Sequence, residues 1–192
     1  MGDRPYVWQA GAVTVSASSE LASSAGANSA DRVYTPRRAA RVLLVDGGGR
    51  VLLFAGFDPA RPEHRYWFTP GGGLDEAESP ASGAARELTE ETGLRVAPAD
   101  LGEPVFSDTT EFPFDGGWYR QQQDFFLLRV PSWQVDTVGF TDVEQRSIAG
   151  HRWWLPAELA ASGDRYYPPE LPDLLARLLP PAAEVRSEEG PC

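Results

Sequence analysis

Residues 71–94 read GGGLDEAESPASGAARELTEETGL, three glycines followed by a strongly charged segment. Its second half predicts a helix from about Pro80 to Thr92, because Ser79 is a favourable N-cap, proline suits the first turn and Gly93 suits the C-terminal cap. The preceding glycines predict a tight turn whose backbone, free of side chains, lets a phosphate or a metal approach closely. The stretch therefore places a helix directly after a glycine loop.

The predicted helix carries a concentrated acidic face. At about 100° per residue, Glu87, Glu90 and Glu91 fall within an arc of roughly 140°. Arg86 precedes Glu90 by one helical turn, so its guanidinium can orient one carboxylate and leave the others for a cation. Oxygen-only ligands favour Mg²⁺ or Mn²⁺. The competing interpretation is an ordinary solvated helix face.

Strands and helices alternate around this stretch. Apolar runs on either side of the glycines at 47–49 predict a β-hairpin. Further strands are predicted over 66–68, 104–110, 119–130 and 151–155, and further helices over 156–161 and 170–179. Mixed elements of these lengths predict an α/β layered domain.

One folded domain is predicted, flanked by two extensions. Residues 1–36 form an N-terminal extension whose Ser/Ala-rich linker at 16–31 has little to bury, although residues 6–15 could add an edge strand. The domain itself is predicted over 37–179. Residues 180–192 follow two prolines and are predicted to be a disordered acidic tail.

The charge of the chain excludes several classes of function. Seventeen basic residues stand against 28 acidic ones, which gives a net charge of −11, and every basic residue is arginine. The absence of lysine excludes Schiff-base chemistry and the lysine of a P-loop. The acidic balance argues against a nucleic-acid polymer as partner.

Cysteine usage and hydropathy predict a cytoplasmic protein without a membrane partner. The single cysteine, Cys192, allows neither an intrachain disulfide nor a cysteine-based metal site, which is compatible with a reducing compartment. No apolar run approaches the roughly 18 residues of a membrane span, and the N-terminus is too polar for a signal peptide.

Residues 71–94 resemble a known family signature. Gly72, five residues, Glu78, seven residues and then RELTEETGL at 86–94 match the Nudix box, GX5EX7REUXEEXGU, at all nine specified positions. Leu88 and Leu94 occupy the two bulky aliphatic positions. The resemblance implies the Nudix-type α/β/α sandwich with a mixed, strongly curved sheet. It also implies Mg²⁺-dependent cleavage of a nucleoside diphosphate linked to another moiety X.

The resemblance further implies roles for the residues of the box. Glu87, Glu90 and Glu91 would bind the metals, with Mg²⁺ preferred and Mn²⁺ as the alternative. A carbonyl of Gly71 or Gly72 would supply another ligand. Which of the three glutamates acts as the general base stays open.

Two box residues and one later acid complete the implied site. Arg86 would orient the glutamates, and Glu78 would anchor the loop to the helix or support the water network. Nudix enzymes often recruit one more acid from a later loop as ligand or base. Glu144, in TDVEQRS, is the candidate here, and an ordinary surface position is the competing interpretation.

The favoured function is therefore a pyrophosphohydrolase that acts on a small-molecule nucleotide or another diphosphate. The alternative is a Nudix-fold sensor module that binds a nucleotide without hydrolysing it. Isopentenyl diphosphate isomerases share the fold but need a catalytic cysteine, for which Cys192 is a poor candidate. The identity of the substrate and the oligomeric state stay open, with a homodimer as one option.

Overall fold

The computed structural model describes residues 32–179, which form eight strands and four helices within that range. The strands are β1 (Thr35–Val45), β2 (Val51–Asp58), β3 (Arg61–Phe68), β4 (Gly71–Gly73), β5 (Phe106–Phe114), β6 (Gly117–Arg129), β7 (Ile148–Trp154) and β8 (Tyr166–Tyr167). The helices are α1 (Pro80–Thr92), α2 (Asp142–Ser147), α3 (Pro156–Ala161) and α4 (Leu171–Leu178). A short 3₁₀ helix spans Pro98–Leu101.

All eight strands belong to one mixed sheet organised around β1. The main path runs β5-β6-β1-β2-β3-β8, while β4 pairs with β1 and β7 pairs with β2. Strand β1 lies parallel to β6 along its whole length, and it pairs antiparallel with β4 at residues 39–41 and with β2 at Val45. Because β1 exchanges β4 for β2 part of the way along, the sheet is strongly curved.

Helices cover both faces of this sheet. On one face, Leu88 of α1 packs with Val42, Leu44 and Phe126. On the other face, residues of α3 and α4 pack with the alternate residues of the same strands, such as Leu43 and Phe125. The predicted α/β/α sandwich is confirmed.

Several predicted elements are confirmed, and others differ. Helices α1 and α3 have the predicted bounds, and the β1–β2 hairpin forms around the glycine turn. Strand β5 is longer than the predicted 104–110, and α2, β4 and β8 were not predicted. Strand β1 begins at Thr35, two residues before the predicted domain boundary.

The linker at 16–31, the optional edge strand at 6–15 and the tail at 180–192 lie outside the described residues. Within 32–179, no helix combines the length and the apolar character that a bilayer span requires.

Candidate active site

Local sequence fixes the helix that carries the acidic face. The side chain of Ser79 caps α1 by accepting a hydrogen bond from the backbone N–H of Ser82 at 3.2 Å. Gly93 ends the helix in the left-handed conformation, with φ at 71°, and its N–H donates to Thr89. Leu88 is fully buried and holds the opposite side of α1 against the sheet. The rotation of the acidic face is thereby fixed.

Three carboxylates converge beside α1. One ligand oxygen from each of Glu87, Glu91 and Glu144 lies within 4.8 Å of the others. Glu87 and Glu91 are buried, with 6% and 1% of their surface exposed, and Glu144 is half-buried. A cluster of oxygen donors at this spacing has the chemistry that Mg²⁺ and Mn²⁺ prefer.

The segment that follows β6 brings Glu144 to this cluster. The indole N–H of Trp133 and the backbone N–H of Asp136 both donate to the carbonyl of Thr92, at 2.8 and 3.0 Å. Further along, a β-carbon at Gly139 would lie only 2.4 Å from the carbonyl oxygen of Glu90. The segment therefore wraps tightly around the C-terminal end of α1 before α2 begins.

Glu144 also caps its own helix. Its Oε2 atom accepts hydrogen bonds from the backbone N–H and the hydroxyl of Thr141, at 2.7 and 2.8 Å. This capping box fixes the side chain at the first turn of α2. The carboxylate thus combines a structural contact with its position beside Glu87 and Glu91.

The glycine loop closes the other side of the cluster. The backbone N–H of Gly71 donates to Oε2 of Glu91 at 2.6 Å, and Gly71 has a φ of 122°, which L side chains rarely adopt. A β-carbon at Gly72 would lie 2.6 Å from Oε1 of Glu87. The loop is therefore a cradle that admits no side chain.

Arg86 ties the loop to the helix. Its guanidinium binds Glu78 through Nε at 3.1 Å and through Nη2 at 3.0 Å, and Nη2 also donates to the carbonyl of Gly73. Nη1 donates to Glu87 at 2.9 Å and to Glu90 at 3.1 Å. Hydrogen bonds with Glu78 are the largest cause that raises the pKa of Arg86, so the guanidinium stays charged. The predicted role of Glu78, as an anchor of the loop or as support for the water network, stays a prediction.

Burial perturbs the two glutamates that α1 contributes to the cluster. Burial raises the pKa of Glu87, although Arg86 opposes the shift. Burial and the charge of Glu87 raise the pKa of Glu91 well above its usual range, against the opposing effects of the Gly71 N–H and Arg41. The pair therefore favours a positive partner.

Arg41 is a site residue that sequence reasoning did not assign. It lies on β1 opposite Gly71, and its Nη1 atom donates to the carbonyl of Thr69 at 3.2 Å and to the carbonyl of Gly71. Arg41 is one of three arginines in β1, with Arg37 and Arg38, and its sequence suggested only a possible phosphate contact, because solvated or paired arginines on strands are common.

The structure brings some of the predicted ligands together and separates others. Glu87, Glu91 and the later acid Glu144 converge, whereas Glu90 lies outside their cluster, pairs with Arg86 and keeps 38% of its side chain exposed. The carbonyl of Gly71 accepts a hydrogen bond from Arg41, which leaves one of its two lone pairs for another partner. The metal-binding roles of these residues stay predictions.

A cavity of about 510 Å³ opens next to α2. Gln145, the neighbour of Glu144, lines it together with aromatic and small residues of β2, β7 and the preceding segment. These are Phe54, Thr137, Val138, Phe140, Ile148, Ala149, Gly150 and His151. The cavity has the size that small ligands occupy, and none of Glu87, Glu91 and Glu144 lines it.

Comparison with known proteins places these features in a family. The model of the NUDIX domain matches residues 35–177. The chain is 36% identical to the RNA pyrophosphohydrolase of Sphingopyxis alaskensis over 101 residues, which cover 48% of this chain and 62% of that protein. It is 32% identical to the RNA pyrophosphohydrolase of Roseobacter denitrificans over 130 residues, which cover 60% of this chain and 74% of that protein. The chain spans less than two thirds of the length of several curated relatives that it matches.

A solved structure shows the same fold. The MutT protein from Methanosarcina mazei Go1 superposes with a TM-score of 0.55 at 18% identity, covering 75% of this chain and 93% of that chain. At this identity the likeness concerns the fold alone. It agrees with the sandwich architecture.

Proposed function

The chain belongs to the Nudix family, and we propose that it is a metal-dependent pyrophosphohydrolase that cleaves a nucleoside diphosphate linked to another moiety. The observation that carries the proposal is the convergence of Glu87, Glu91 and Glu144 within 4.8 Å, beside a glycine loop that leaves no room for a side chain. An acidic face retained only for solubility would not bury two glutamates against each other.

Glu87, Glu91 and Glu144 would hold Mg²⁺, or alternatively Mn²⁺. The cluster fits such an ion because its donors are all oxygens. In addition, the charge of Glu87 raises the pKa of Glu91, so the two buried carboxylates repel each other and a cation between them would be favourable. When bound, the ion would neutralise diphosphate charge and lower the pKa of a coordinated water. Glu90 and Gly71 are the additional ligands that the resemblance implies.

The protein residues supply orientation and a proton acceptor. Arg86 holds Glu87 and Glu90 in place from one side, and the Gly71 N–H holds Glu91 from the other. In hydrolysis, the water oxygen bonds to phosphorus, the bond from phosphorus to the bridging oxygen breaks, and a carboxylate of the cluster accepts the water proton. Glu87, Glu90, Glu91 and Glu144 are the candidate bases.

The substrate class is proposed to be a small diphosphate or nucleotide. The net charge of −11 supports this choice over a nucleic-acid polymer. Because two relatives are named RNA pyrophosphohydrolases, a triphosphorylated RNA 5′ end is the polymer substrate that should be compared directly. A cytoplasmic location stays a prediction.

The proposal is tested by a substrate panel with the full chain. Nucleoside triphosphates, ADP-ribose, dinucleoside polyphosphates and 5′-triphosphorylated RNA are each incubated with Mg²⁺, with Mn²⁺ or with excess EDTA, and the phosphorylated products are separated and measured. We expect hydrolysis of at least one diphosphate with either metal and none with EDTA. Nucleotide binding without any hydrolysis would support the sensor module instead, and turnover that survives EDTA would refute metal dependence.

A further inference from the structure

Arg41 carries its charge into the packed part of β1. Its neighbours along the strand, Ala40 and Val42, are fully buried, and the centre of its guanidinium lies 5.6 Å from the centroid of the Phe68 ring. Burial lowers the pKa of Arg41, and the charge of Glu91 is the largest effect that opposes this shift. A guanidinium in such surroundings is unfavourable unless its N–H groups find acceptors.

The acceptors of Arg41 are carbonyl groups of the glycine loop. Its Nη1 atom donates to the carbonyl of Thr69, at 3.2 Å, and to the carbonyl of Gly71. The carbonyl between them, that of Pro70, accepts from the backbone N–H of Val42 at 2.9 Å. Two consecutive residues of β1 therefore bind three consecutive carbonyls of the loop, and they fix the course of the chain where β4 begins.

Gly71 connects Arg41 to the acidic cluster. Its carbonyl accepts from Arg41, and its N–H donates to Oε2 of Glu91 at 2.6 Å. A β-carbon on Gly71 would lie 2.2 Å from the carbonyl oxygen of Ala40, so the loop lies directly against β1. The two peptide groups of Gly71 are thus restrained from opposite sides. The N–H that orients Glu91 belongs to a residue that Arg41 holds in place.

Arg41 also contributes positive charge without occupying a carboxylate oxygen. Burial raises the pKa of Glu87 and of Glu91, and the charge of Arg41 opposes both shifts. Both hydrogen bonds of its Nη1 atom nevertheless go to carbonyls. Arg86 differs, because it donates directly to Glu87 and Glu90. Arg41 therefore favours the charged form of Glu91 and leaves the carboxylate oxygens to other partners.

We propose that Arg41 is a positioning residue: through Gly71 it holds the Glu91 carboxylate in the orientation that hydrolysis needs, and its charge limits how tightly the cluster binds a divalent cation. The inference rests on the proposed function and adds a residue outside the predicted ligand set. Loss of the guanidinium should have two opposite effects. Lost orientation should lower kcat, whereas a lost positive charge should tighten cation binding, because like charges repel.

The first test needs neither turnover nor metal. Hydrogen exchange of the Gly71 backbone amide is followed by NMR in the metal-free full chain, and exchange of the Leu88 amide reports the integrity of α1. In Arg41→Met, the Gly71 amide should exchange faster by about tenfold or more, because the loop loses two hydrogen bonds. Exchange at Leu88 should stay within about twofold of the wild type. Unchanged exchange at Gly71 would overturn the inference.

The second test compares turnover with cation affinity. In Arg41→Met, kcat should fall by about tenfold or more. The Kd for Mn²⁺, measured by calorimetry on the same protein, should also fall, by about threefold or more. A residue that only maintained the fold would not combine slower turnover with tighter binding. An unchanged or raised Kd in Arg41→Met would therefore overturn the inference.

Arg38→Met is the matched control. Arg38 lies on the same strand and is exposed, and its backbone carbonyl, which the substitution keeps, accepts from the N–H of Leu74 at 2.9 Å. The variant loses the same charge from β1 without loss of a hydrogen bond to the glycine loop. It should keep the wild-type exchange at Gly71, the wild-type kcat and the wild-type affinity for Mn²⁺. Equal effects of Arg38→Met and Arg41→Met would overturn the inference.

A conservative variant separates charge from geometry and serves if Arg41→Met does not fold. Arg41→Lys keeps the positive charge, but its ammonium group lacks the planar geometry that places Nη1 at both carbonyls. The affinity for Mn²⁺ should stay within about twofold of the wild type, because the charge is kept. Exchange at Gly71 should rise and kcat should fall, each by about threefold or more. Wild-type exchange and kcat in Arg41→Lys would overturn the inference.

Failure of this inference and failure of the proposed function are distinguishable. Exchange at Gly71 and binding of Mn²⁺ are measured without hydrolysis. If the panel shows diphosphate hydrolysis but Arg41→Met leaves exchange at Gly71 unchanged, only the role of Arg41 is refuted. If no diphosphate is hydrolysed while exchange and Mn²⁺ affinity change as expected, the enzyme is refuted and the link from Arg41 through Gly71 to Glu91 stands.

Discussion

The α-carbon of Gly72 faces the carboxylate of Glu87 so closely that a β-carbon on Gly72 would lie 2.6 Å from Oε1. Real β-carbons essentially never approach a neighbour at that distance. The glycine loop and the helix therefore meet without space for a methyl group, and the position of Glu87 depends on the absence of one.

Gly72→Ala should consequently lower kcat by about a hundredfold, because a displacement of about 1 Å at a reacting centre can have that effect. Gly117→Ala is the matched control, since a β-carbon there would meet only ordinary contacts, the nearest at 3.4 Å. The kcat of both variants is measured by steady-state hydrolysis of the substrate that the panel identifies. Equal activity of the two variants would show that the loop does not position Glu87.

Glu91→Gln should lower kcat by about a hundredfold to a thousandfold, because it removes charge stabilisation of about 3–4 kcal/mol in the transition state. The new amide oxygen can still accept from the Gly71 N–H, so the fold should survive. Glu90→Gln should have the smaller effect, since Glu90 lies outside the cluster. The exposed Glu103→Gln is the control. A larger loss in Glu90→Gln than in Glu91→Gln would contradict this assignment.

Glu144→Gln should lower kcat at least tenfold and weaken the binding of Mn²⁺, measured by calorimetry, while the cap of α2 is retained through the amide oxygen. Glu158 serves as the control because it occupies the same capping position at the start of α3. Glu158→Gln should change neither quantity. Unaltered Mn²⁺ affinity in Glu144→Gln would show that Glu144 caps α2 but does not bind the metal.

Asp58 should make the fold sensitive to acid. Burial would raise its pKa, but hydrogen bonds from the N–H groups of Asp115 and Ala60 and from Arg61 outweigh burial and lower the pKa below 3.8. Since the folded pKa lies below the unfolded one, the stabilisation is complete above about pH 5 and is lost as pH falls through the folded pKa.

Asp58→Asn tests this dependence. The variant should be less stable than the wild type by about 1–3 kcal/mol at pH 7, because the charged acceptor is lost. The difference should shrink towards pH 3. Melting temperatures of the wild type and the variant, measured from pH 7 to pH 3, give the stability difference and its change with pH. A difference that stays constant over this range would contradict the role of the charged Asp58.

Local sequence determines the part of the molecule that was predicted best. Ser79, Pro80 and Gly93 fix both ends of α1 through contacts within one helical turn, so the predicted and observed bounds agree. The β1–β2 hairpin is similarly local, because the glycine turn joins adjacent strands. The fold family was predictable because the Nudix box lies within this local region.

The remaining features depend on contacts between distant residues. Glu144 reaches Glu91 only because the segment after β6 packs on the end of α1, and nothing in TDVEQRS encodes that packing. Asp108 and Gln123 lie opposite each other through the β5–β6 register. The alternation of Gln121 and Gln123 with buried Phe125 was a visible pattern, but a polar alternation normally indicates a solvent-facing strand side.

The tight packing of Gly139 against the backbone of Glu90 restricts how this protein can be altered by engineering. An insertion between β6 and α2 would shift α2 and carry Glu144 out of reach of Glu91, so loop length there is not adjustable. The exposed turn at Gly102 and Glu103 is different, since a β-carbon on Gly102 would meet nothing within 4 Å. A reporter peptide is therefore better inserted after the 3₁₀ helix than beside α2.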